Sequence, residues 1–195
     1  MAATAVEAHA PSRTTDSIVP LGGLWIVGAV LTLTVVLIAG NWLWGLDFLH
    51  VVGGGMWTAV DLFMGFVIGP IMRSLSIPAR IELTKRLMPK MLLIMPTLVT
   101  MTLGAGFQLA LANGMLDASY PRHGWVVASM VVVAVMAIVA LALLQPANIA
   151  VLFELRKPQP NPAIVQILMR RFIYAAGVTG AMQVATLVIM TRLAT

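Results

Sequence analysis

The stretch Trp42-Leu-Trp-Gly-Leu-Asp-Phe-Leu-His-Val-Val-Gly-Gly-Gly-Met-Trp-Thr-Ala-Val-Asp-Leu-Phe-Met-Gly-Phe-Val-Ile-Gly-Pro70 decides how the chain is read. Most of it is apolar enough to cross a bilayer, yet it carries His50 and Asp61, with Asp47 at its mouth. Eleven residues separate His50 from Asp61. At about 100° per residue that is close to three turns, which predicts one helix face for both. Trp57 falls on nearly the same stripe, and Gly54 lies one turn beyond His50 and leaves room beside it. Ionisable groups inside an apolar helix are expensive, so the stripe is the first candidate for function.

The rest of the chain has the same character. Of 195 residues, 60% are hydrophobic and 10% charged, against about a quarter charged in a soluble domain. The expectation is an all-α integral membrane bundle of one domain. Residues 1–20 form a disordered polar tail and 21–195 the transmembrane domain. The absence of cysteine excludes disulfides, thiolate metal sites and thiol nucleophiles. The net charge of +5 does not point to nucleic acid, because the basic residues fall in two short loops beside apolar runs.

Five spans are expected, each of the roughly 20 apolar residues needed to cross the hydrocarbon. They are placed at 21–44, 48–71, 90–112, 125–144 and 164–193. The first two form a tight hairpin, Pro96 kinks the third, and the fifth begins with an interfacial turn. The segment 78–87 is expected as a short amphipathic helix lying at the headgroups, with Glu82 and Arg86 four apart. Arg73, Arg80, Lys85, Arg86, Lys90, Arg156, Lys157, Arg170 and Arg171 fall on one side, and Arg122 and Arg192 on the other. The positive-inside rule then gives N-in, C-out, in a bacterial inner membrane. Trp42, Trp44 and Trp125 fall at the outer interface, where tryptophan is favoured.

His50 and His123 both come to the non-cytoplasmic side. Two histidines from two spans in one layer suit the axial positions of haem b. They suit copper less well, lacking a third ligand. The remaining histidine, His9, is in the tail. Met56, Met64, Met88, Met91, Met95 and Met101 offer either packing or an alternative second ligand. Gly53-Gly54-Gly55 reads as a notch for a neighbouring helix or a porphyrin. Asp61 would pair with a base, relay protons, bond a porphyrin or quinone, or stay protonated against a nearby Thr or carbonyl; Gln108, Gln145 and Gln183 are the available amides. No Ser-His-Asp, HExxH or paired-carboxylate pattern appears, so nothing supports hydrolysis.

Trp44-Gly-Leu-Asp-Phe-Leu-His50, then Trp57, Phe63 to Pro70 and Arg73, resembles the first helix of the HemJ-type protoporphyrinogen oxidases and the related CopD-like membrane proteins. Leu87 to Pro96, with Thr100, Gly104 and Gly106, resembles their second helix, and Gly124-Trp125 opens a third. The resemblance covers roughly residues 42–190. It implies a four-helix core with residues 21–41 as an added N-terminal helix, and His50 as a haem b ligand. The HemJ-type third helix carries a lysine soon after Gly-Trp, whereas Val126 to Met130 hold none. The expectation is therefore a haem-b-binding electron-transfer or accessory subunit of a membrane redox complex. Cofactor-binding residues are His50, His123, Gly54, Trp57 and Asp61, of which His50 and His123 hold the iron. The alternatives are a HemJ-like oxidase passing electrons to quinone and a cofactor-free subunit packed on a respiratory or photosynthetic complex. Membrane lipids are partners in every case.

Overall fold

The computed structural model describes residues 20–194. The expected tail, with His9, falls almost wholly outside the described residues. Among the described residues five helices are long and apolar enough to cross a membrane: α1 (Leu21–Ala39), α2 (Leu43–Ser74), α3 (Ile77–Ala112), α4 (His123–Leu155) and α5 (Pro162–Leu193). Among the described residues there is no strand.

The ends of α1 and α3 are set by the same device. Asn41 (φ 46°) and Gly114 (φ 62°) adopt the left-handed conformation just past each helix. Asn41 N–H donates to Ile38 O and Trp42 N–H to Leu37 O; Gly114 N–H donates to Leu111 O and Met115 N–H to Ala110 O. These paired bonds satisfy carbonyls that the helix leaves without partners, the Schellman arrangement. At the opposite end Arg80 folds back from α3 and donates to Leu75 O and Arg73 O, closing the tail of α2. Pro78 in the first turn of α3 and Pro162 at the first residue of α5 start helices without losing a needed N–H.

Several expected boundaries move. The α1–α2 turn lies at 40–42, so Trp44 belongs to α2, where its ring stacks on Phe48 at 5.9 Å. The segment 78–87 is not a separate surface helix: it is the opening of α3, which runs unbroken for 36 residues through Pro89 and Pro96. At 1.5 Å per residue α3 is ~54 Å long, well beyond a ~30 Å hydrocarbon core, so its charged turns extend past the apolar part. Likewise α4 continues past Leu144 to Leu155, and α5 is helical from Pro162.

Two short segments leave α geometry for the wider π geometry, Phe63–Ile68 in α2 and Ala140–Leu144 in α4. Each is followed within two residues by a proline, Pro70 and Pro146. A proline removes one ladder donor and crowds the carbonyl four residues back, which favours the longer register. Proline alone is insufficient, since Pro89 and Pro96 leave α3 regular. Both π segments also pack on α5. There Gly65 of α2 touches the backbone of Gly177 in α5, so closely that a Cβ on Gly65 would stand 2.8 Å from Gly177 Cα.

The core divides in two along the bundle. One cluster, toward the arginine-rich end, includes Met64, Met72, Met88, Val151, Met169 and Phe172. The other includes Leu37, Leu46, Trp57, Leu98, Met101 and Met136. Val60 and Met95 touch both, and Asp61 follows Val60 at the junction. Helix α2 packs mainly on α3 and also on α5, and α4 on α5. α1 rests chiefly on α3 and buries only Thr34 and Leu37.

Candidate functional site

The polar stripe of α2 meets two different neighbours. Near the start of α2, His50 turns to α3. Its Nδ1 lies 2.9 Å from the carbonyl oxygen of Thr102. A carbonyl can only accept, so Nδ1 carries the proton, and in the neutral ring Nε2 keeps its lone pair. The ring is seated on Gly106, where any Cβ would overlap imidazole Cε1 and Nδ1. The room beside His50 is therefore made by Gly106 across the interface. It does not come from Gly54, whose Cβ would meet Thr102 Cγ2 at an ordinary 3.6 Å. The close approach of α2 to α3 is at Gly53, where a Cβ would come within 2.5 Å of Thr102 Oγ1.

Three turns on, Asp61 faces α5 and is 1% exposed. Its Oδ2 lies 3.0 Å from Thr179 Oγ1 and accepts from Gln183 Nε2 at 2.8 Å. Trp57, one turn earlier and 4% exposed, brings its indole N–H to the same carboxyl. Of the three amides considered from sequence, Gln183 is thus the direct partner. Gln108 instead donates to Asn41 Oδ1 at 3.1 Å, and Gln145 lines a cavity beside Asp61. No cation pairs with Asp61 among the described residues. An ionised carboxylate without such a partner, away from water, would cost several kcal/mol.

The cavity, of about 40 Å³, is bounded by all four helices α2 to α5. Asp61 and Trp57 come from α2, Met91 and Met95 from α3, Gln145 and Asn148 from α4, and Phe172 and Thr179 from α5. The fourth span expected from the sequence ends at Leu144, which leaves Asn148 outside it. An amide side chain two residues after Pro146 in an otherwise apolar run is the signal for it. Both π segments border this place: one begins two residues after Asp61, the other ends immediately before Gln145. Such segments occur often at functional sites, because they aim side chains where a regular helix would not.

His123 is the first residue of α4, whose first half packs on α5. Its Nδ1 is buried and lacks a hydrogen-bond partner. The two candidate ligands are thus positioned by different helix pairs, His50 by α2 and α3, His123 by α4 and α5. Neither this cavity nor a second one near Arg73 and Tyr174 is lined by His50. Among the described residues no three His, Asp or Glu side chains gather as a metal-binding group. Met56 is half exposed, while Met64, Met88, Met91 and Met101 fill the core. Compared with family models, curated proteins and solved structures, the chain gives no match.

Proposed function

We propose that this chain is a multi-pass integral membrane protein that holds haem b on His50 and serves as an electron-transfer or accessory subunit of a membrane redox complex. One observation carries the haem reading. The His50 imidazole is fixed through Nδ1–H to a backbone carbonyl and offers the lone pair of Nε2. Ligating histidines are commonly oriented this way, because the second hydrogen bond sets the tautomer and raises the basicity of the ligating nitrogen. Thr102 O supplies that bond and Gly106 the seat. His123, with a buried ring nitrogen lacking a partner, is the candidate for the second position. Haem b, when bound, supplies a one-electron iron couple. The HemJ and CopD resemblance around His50 and Trp57 agrees with this assignment.

The membrane reading rests on five long apolar helices and on large side chains such as Trp25, Val35, Phe66, Leu141 and Val188 facing outward. Lipid is the medium that suits them. The excess of Arg and Lys at the α2–α3 and α4–α5 ends supports placing those ends in the cytoplasm of a bacterial cell, giving N-in, C-out.

The test is a dithionite-reduced minus oxidised spectrum of protein purified from haem-replete cells, beside His50→Ala and His123→Ala. Sharp haem b bands that vanish in His50→Ala are expected. A colourless, folded wild-type protein would overturn the reading and leave a cofactor-free accessory subunit in front.

A further inference from the structure

Asp61 stands in a group of oxygens that are short of protons. The single proton of Thr179 Oγ1 has three acceptors within 3.1 Å: Asp61 Oδ2, Ala175 O and Ala176 O. Gln183, 4% exposed, gives its N–H to Asp61 but leaves Oε1 buried without a partner. Asn148, 2% exposed, lines the cavity beside Asp61, and its Oδ1 is also buried without a partner. One added proton on Asp61 would satisfy at most one of these acceptors. Converging carboxylate, hydroxyl and amide oxygens with surplus lone pairs are the ligand chemistry of a hard cation.

The charge and the size agree. Among the described residues Asp61 is the only ionisable side chain on the cavity wall; α3, α4 and α5 add Met, Val, Ala, Leu and Phe side chains and the neutral polar groups of Gln145, Asn148 and Thr179. One negative charge is balanced by one positive charge, and a divalent ion would leave a buried excess. A cavity of about 40 Å³ exceeds the roughly 10–15 Å³ that one water needs, so an ion with a water or two can enter.

We propose that this cavity binds one sodium ion, held by the Asp61 carboxylate and the side-chain carbonyl of Asn148, with the Thr179 hydroxyl completing the oxygen set and Gln183 holding Asp61 in place. The site is independent of the haem assignment at His50, and either stands if the other falls.

The experiment is the thermal midpoint of the full chain in detergent, in NaCl and in choline chloride at equal ionic strength. At roughly ten times Kd, sodium should raise the wild-type midpoint by about 3–6 °C, and choline should not. Asp61→Asn should lose the sodium response, while the exposed-site control Asp47→Asn keeps it. Asn148→Ala should need about tenfold more NaCl for the same rise. Equal wild-type midpoints in the two salts, or a sodium response unchanged in Asp61→Asn, overturn the proposal. So does a midpoint that responds to pH but not to sodium, which makes a proton the sole occupant. Should Asp61→Asn fail to fold, modification of Asp61 by an apolar carbodiimide is read on wild-type protein by mass spectrometry. Sodium should slow it; equal rates in both salts also overturn the site.

Discussion

Gly65 and Gly177 face each other, yet a methyl group should be rejected at one and accepted at the other. A Cβ on Gly65 would stand 2.8 Å from Gly177 Cα and 3.2 Å from Gly177 N. These are backbone atoms in the middle of a 32-residue helix and cannot rotate away. A Cβ on Gly177 would meet only Gly65 Cα, at 3.8 Å, an ordinary contact. Both substitutions gain the same helix preference of alanine over glycine, about 1 kcal/mol, which cancels in the comparison. The difference left is the overpacking cost at Gly65, about 1–3 kcal/mol. For a chain of this size each kcal/mol moves the thermal midpoint by about 2–4 °C, so Gly65→Ala should melt about 2–12 °C below Gly177→Ala. The assay is thermal unfolding of both variants in one detergent, followed by circular dichroism. Equal midpoints, or the reverse order, would refute the close backbone contact between α2 and α5 on which the position of Asp61 depends.

Other consequences are as direct. Gly106→Ala should push the His50 ring off Thr102 O, costing about 0.5–1.5 kcal/mol for the hydrogen bond in addition to overpacking, and should lower haem retention while leaving the sodium response intact; spectra and melting curves read both. Glu154, 6% exposed, accepts from Lys157 Nζ at 2.5 Å and from Asn161 N–H at 3.0 Å, tying the α4–α5 turn. Glu154→Ala should therefore speed proteolysis in that turn, and Glu154→Gln, which keeps an acceptor for Asn161, should do so less. Arg122 Nη1 donates to Leu193 O at 3.1 Å and places a cation at the carbonyl end of α5. Arg122→Ala should fray that end, with faster amide exchange over the last turn of α5 and little change elsewhere.

Hydropathy made the five helices legible, and it also explains the misplaced ends. Trp42, Leu43 and Trp44 prolong the apolar run of α1 past Asn41, so apolar character alone does not mark the α1–α2 turn. The stop signal was local, Gly40-Asn41, of which asparagine tolerates the left-handed conformation. At α3 the error was the opposite one: Lys85, Arg86 and Lys90 end the apolar run without ending the helix. The stripe from His50 to Asp61 was legible because helical periodicity within one span needs no tertiary knowledge. Its partners were legible only in part. Gln183 was named among candidate amides, whereas Thr179 and Asn148 reach the site through packing and through a π segment that no hydrophobic period announces. Gly106 was noted for its place in a family pattern; its physical role, room for an imidazole from another helix, is visible only across the interface.

The π segment at Phe63–Ile68 acts as a phase shifter. Its longer hydrogen bonds take up an extra residue, so the part of α2 that follows is turned by ~100° relative to a regular continuation. The half with Asp61 and the half with Gly69 and Met72 are thereby aimed separately, one to the polar cavity and the other to Ile173 and the core cluster at the arginine-rich end. Forcing the same residues into a regular helix would turn everything beyond it by ~100°, whereas deleting one residue there would restore a regular helix and leave the later faces where they are. The backbone register of this segment is accordingly as much a part of the site's specification as the identity of any side chain in it.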